Sequence, residues 1–108
     1  MHRDQRGPRG HKDLQVCRQV YDVLTLALAE IDDPLIDDLV LARVVPAPNA
    51  GRVQVILVPG RDGIDEDEAL SRLADFADDL REEVAAEVNR RRVPDLVFRI
   101  GTVADMPC

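Results

Sequence analysis

The chain has 108 residues, of which 45% are hydrophobic and 32% charged, and carries a formal net charge of -7. That length fits one domain with a modest core, and no apolar run approaches the ~20 residues needed to cross a bilayer. The polar start does not read as a signal peptide, so a cytoplasmic protein is expected. Its two cysteines, Cys17 and Cys108, make neither a disulfide framework nor a metal-ligand set.

Residues 1–11, MHRDQRGPRGH, offer little to bury and carry Arg3, Arg6 and Arg9, so they read as a flexible basic arm. From Lys12 the apolar residues Leu14, Cys17, Val20, Tyr21, Leu24, Ala27, Leu28 and Ile31 recur every three or four positions. That spacing predicts an amphipathic first helix with Cys17 on its buried stripe. Asp32, Asp33 and Pro34 break it, and residues 35–38 read as a connector. Two β-like runs, Leu39 to Val45 and Arg52 to Val58, flank a turn containing Pro46, Pro48, Asn49 and Gly51. They predict an antiparallel pair.

Asp65 followed by Glu68 has capping-box spacing and starts the next helix. Periodicity through Leu70, Leu73, Phe76, Leu80, Val84 and Val88 permits one helix of roughly 36 Å, too long for a domain with a radius of gyration of ~13 Å. The like-charge pairs Asp75/Asp79, Asp78/Glu82 and Asp79/Glu83 argue for a break near Ala77 and Asp78, with Asp79 and Glu82 as a second capping box. Pro94 should end the second helix near Arg92, and Leu96 to Ile100 reads as a returning strand. The expected fold is α+β, with helices packed on a small mixed sheet.

Charge divides the chain. Between Asp62 and Glu87 eleven acids face two arginines, a balance of -9, which leaves the remainder at +2. A polyanionic partner would have to meet that remainder. Its densest cluster is Arg90, Arg91 and Arg92, with Arg99 on the strand that follows; as a phosphate clamp it would give salt-sensitive, sequence-independent affinity. Lys12, Arg18, Arg43 and Arg52 are weaker candidates, read first as surface or salt-bridging residues, and Tyr21, Phe76 and Phe98 all occupy core-pattern positions. Recognition of RNA would then go by shape and backbone rather than by base stacking. The acids Asp62, Asp65, Glu66, Asp67 and Glu68 lack the spacing of a calcium loop and are largely explained by helix capping. No nucleophile, base and orienting group can be assembled, so no catalytic residue, metal or cofactor is expected.

Three stretches, KDLQVCRQVYDVLTLALAE, VVPAPNAGRVQVILV and LREEVAAEVNRRRVPDLVFRI, resemble the ribosome-binding factor A family. The most specific piece is the closing pattern of Arg92, Pro94, Leu96 and Phe98. The resemblance implies a type II KH-like domain, α-β-β-α-α-β, over residues 12–100, with a kinked helical hairpin on three strands; the tail at 101–108 is shorter than the extension the family often has. It also implies a non-enzymatic, monomeric ribosome-assembly factor that binds the immature small ribosomal subunit and assists maturation of 16S rRNA, with ribosomal proteins as further partners. On that reading Arg3, Arg6, Arg9, Lys12, Arg90, Arg91, Arg92 and Arg99 contact RNA. Where family members bend the hairpin at an Ala-x-Gly, this chain has Phe76, Ala77 and Asp78, and Gly101 stands where the family often has an acid. The acids crowding the bend leave an alternative: an acidic KH-like protein-interaction module without RNA affinity.

Overall fold

The computed structural model of the protein describes residues 6–47, 51–88 and 93–106, with side-chain surroundings from Leu14 onward. Helix α1 spans Arg6–Ala29, the single turn α2 Pro34–Asp37, strand β1 Leu39–Pro46 and strand β2 Arg52–Pro59. Helices α3 (Glu66–Asp75) and α4 (Ala77–Glu87) follow, then strand β3 (Asp95–Ile100) and a 3₁₀ turn at Val103–Asp105. The expected α-β-β-α-α-β order is present, with α2 and the 3₁₀ turn added to it.

α1 begins at Arg6 rather than at Lys12, so part of the segment expected to be a flexible arm is helical. Pro8 falls in the first turn, where a missing N–H costs no helical hydrogen bond. Val16, Cys17, Val20, Leu24 and Ala27 form the buried stripe. Leu14, expected on that stripe, is 65% exposed. At roughly 36 Å the helix is longer than the eight-residue strands of about 26 Å that it packs on.

The connector after α1 contains a helical turn because Asp33 and Pro34 provide its start. The Asp33 carboxylate accepts from the Leu35 and Ile36 amides at 2.9 and 3.2 Å, and Pro34 opens the turn. Its other carboxylate oxygen accepts from Arg72 of α3 at 2.6 Å, joining α2 to the hairpin.

The sheet order is β1-β2-β3, with β1 antiparallel and β3 parallel to β2. On its helix-covered face Val53, Val55 and Leu57 meet α1, α3 and α4 through Val20, Leu24, Leu73, Leu80 and Val84, all nearly solvent-free. Each such side chain contributes about 1.5–3 kcal/mol relative to exposure. Tyr21 and the half-buried Phe76 and Phe98 belong to this side; the Tyr21 hydroxyl donates to the Leu41 carbonyl at 3.4 Å. A smaller apolar cluster, Ala42, Ile56 and Val58, lies on the opposite face under Met106.

The helical hairpin breaks at Phe76, one residue before Ala77 and Asp78, which open α4. Phe76 leaves helical geometry at φ -105°, ψ 2°, while its carbonyl accepts from the Leu80 amide at 2.9 Å and so starts the α4 ladder. The anticipated second capping box is not the helix start, because Asp79 and Glu82 lie within α4. At the first start Asp65 does cap α3, accepting from the Asp67 amide at 3.0 Å. α4 ends at Glu87 instead of near Arg92, as Val88 turns to extended geometry with its side chain buried.

Candidate nucleic-acid interface

Cross-strand register places Arg43 and Arg99 on either side of Ile56, on the sheet face away from the helices. Neighbouring strands lie about 4.8 Å apart, so the two arginine backbones are separated by about 10 Å. A bulge between Leu41 and Arg43 produces this alignment. It inserts Ala42, which is buried against Ile56, beside Arg43, which remains exposed. Arg52 and Gln54 continue the same face of β2 by strand alternation.

The C-terminal turn folds over this row. Thr102 starts a small capping box in which its hydroxyl accepts from the Ala104 amide at 3.3 Å and the Asp105 carboxylate accepts from the Thr102 amide at 2.9 Å. The second Asp105 oxygen accepts from the Arg99 guanidinium at 3.1 Å. The Thr102 amide and then Arg99 hold the Asp105 carboxyl below its ordinary pKa, with Arg43 adding a smaller attraction. Arg99, expected as a phosphate contact, is therefore already engaged by a carboxylate. The same turn explains Gly101: a Cβ there would collide with the Asp105 carboxylate and come within 2.9 Å of Ile56. An acid directly after the strand has no room, and Asp105 supplies one from the turn instead.

Arg43 also faces a second feature. Between α1 and β1 lies a cleft of about 440 Å³ whose lining includes Leu14, Arg18, Tyr21 and Arg43, with Asp22 as its one acid. Arg18 and Arg43 are both exposed, and neither forms an ion pair among the described residues. Expected only as weaker candidates, the two lie 25 positions apart in the sequence. Packing of α1 on β1 brings them to one cleft, a long-range effect with no local signature.

The remaining expected contacts divide by position. Arg3, Arg90, Arg91 and Arg92 lie outside the described residues, and Arg6, Arg9 and Lys12 belong to the first turns of α1. Arg81 is committed elsewhere, pairing with Asp95 at 3.6 Å and donating to the Val93 carbonyl at 3.3 Å, which ties α4 to the start of β3. Among the described residues no group of three His, Cys, Asp or Glu side chains is placed to hold a metal ion, and no helix is long and apolar enough to cross a membrane. The candidate interface is a sheet face and an adjoining cleft, carrying Arg18, Arg43, Arg52 and Arg99, with one arginine clamped by Asp105. Such an arrangement can bind phosphate oxygens along a backbone without reading bases.

No family model matches the chain, and no curated sequence matches it. Among solved structures, ribosome-binding factor A from Thermus thermophilus superposes with a TM-score of 0.68 at 23% identity, covering 80% of this chain and 92% of that one. A Thermotoga maritima protein, provisionally described as a ribosome binding factor A, superposes with a TM-score of 0.60 at 12% identity and covers 82% of each chain. At these identities the likeness establishes the fold, which is that of ribosome-binding factor A.

Proposed function

We propose that this chain is a ribosome-binding factor that docks on the immature small ribosomal subunit and assists maturation of 16S rRNA. It would act as a cytoplasmic monomer, without cofactor or catalysis. The observation carrying this reading is the alignment of Arg43 and Arg99 on the open sheet face, with Arg18 beside Arg43 in the cleft at the β1 edge, on a fold shared with ribosome-binding factor A. Phosphate contacts from these side chains would supply salt-sensitive affinity without base specificity. Arg90, Arg91 and Arg92, together with Arg3, Arg6, Arg9 and Lys12, are proposed to extend the contact to neighbouring backbone.

The acidic hairpin limits how RNA can approach. Its carboxylates repel phosphate, so docking is proposed through the sheet side, with the hairpin turned away. Sedimentation of the tagged protein with cell lysate on a sucrose gradient tests the reading. Co-migration with small-subunit particles at low salt is expected, and absence from those fractions would refute it.

A further inference from the structure

The hairpin break forms a groove with the end of α1 that the RNA reading does not use. It holds about 410 Å³, and its floor includes the half-buried Ile31 and Phe76, with Leu80 beneath. Five carboxylates rim it: Glu30, Asp32, Asp79, Glu82 and Glu83. All five are exposed, none is paired with a cation among the described residues, and no lysine or arginine lines the groove. α1 ends at Ala29 with no basic residue in its last turn, so the negative end of its dipole is left uncompensated beside the same groove. The apolar floor distinguishes this place from a merely solvated acidic face, because it offers a side chain somewhere to be buried.

We propose that this groove binds a cationic amphipathic protein segment, one that lays an aliphatic side chain on Ile31 and Phe76 while its lysines and arginines meet the five carboxylates. Charge complementarity selects this occupant: nucleic acid is repelled, and a neutral apolar segment would leave the rim unpaired. The inference goes beyond ribosomal docking and uses none of its arginines, so the two can fail separately. If both hold, the protein bridges RNA on its sheet side and a basic protein segment at the hairpin.

The full chain titrated with a short synthetic peptide of repeating Lys-Arg-Leu, followed by amide chemical shifts, tests this. Saturable binding is expected, with the largest shifts at Ile31, Phe76 and Glu83. A Lys-Arg-Ser control of equal charge should bind about tenfold more weakly, since its side chains bury little apolar surface on the floor. Glu82→Gln with Glu83→Gln, at exposed helical positions that preserve the fold, should also weaken the Leu peptide by about tenfold. Equal affinity for the two peptides, unchanged affinity in the double variant, or shifts centred away from the groove would each overturn the proposal. So would an rRNA fragment that shifts the same groove amides.

Discussion

Asp33 is the one acid among the described residues that is nearly removed from solvent, at 7% exposure. The Arg72 guanidinium, followed by the Ile36 and Leu35 amides, holds its carboxyl below the ordinary carboxylate pKa against an opposing effect of burial. A depressed native pKa means that the ionised carboxylate stabilises the fold above the unfolded value of about 3.9, and that this contribution is lost as pH falls through the native value. Asp33→Asn should therefore be less stable than the wild type at pH 7, and the gap should narrow below about pH 4. Urea unfolding across that range checks it; a constant gap would contradict the assignment. Gly101→Ala should cost about 1–3 kcal/mol by forcing the Asp105 carboxylate and Ile56 apart, measured in the same way. At this scale the sequence was readable where neighbours in sequence are neighbours in space. The burial of Cys17 followed from helical spacing, whereas the Arg18 and Arg43 cleft and the Arg99 and Asp105 pair depend on tertiary packing and on a turn that repetition does not announce.

Among the elements, the 3₁₀ turn is the least expected and has the clearest consequence. It covers the small cluster of Ala42, Ile56 and Val58 and clamps Arg99 at one stroke. Asp105→Asn should release Arg99 for phosphate, raising rRNA affinity at low salt and steepening the salt dependence by about 0.9 in log-log slope. Binding titrations at several salt concentrations read this, and an unchanged slope would mean that Arg99 makes no phosphate contact. The hairpin was legible in part. Repulsion between Asp75, Asp79 and Glu83 signalled a break, and the chain makes it at Phe76, one residue before the expected Ala77. α4 ends early where Val88, buried, takes extended geometry at φ -93°, ψ 108°. Asp33 and Pro34, first seen as a helix breaker, were also the start signal of α2.

For the whole molecule, the separation of charge organises the account. The acidic hairpin and the arginine-bearing sheet side belong to different surfaces of one core, so a net charge of -7 coexists with a local cationic face. Fold class, element order and the division of charge could be read from the chain, because they depend on composition and periodicity. The placement of individual arginines could not, because it depends on the β1 bulge and on how α1 crosses the sheet. On the proposed function, this cationic face carries affinity for the immature small subunit. Titration of isolated immature small subunits against salt, comparing the wild type with Arg18→Ala, Arg43→Ala and Arg99→Ala combined, tests it most directly. Weaker binding is expected for the triple variant, with a log-log slope shallower by about 2 to 3, one phosphate contact for each of Arg18 and Arg43 and a partial one for clamped Arg99. Equal affinity and equal slope for the two proteins would contradict it.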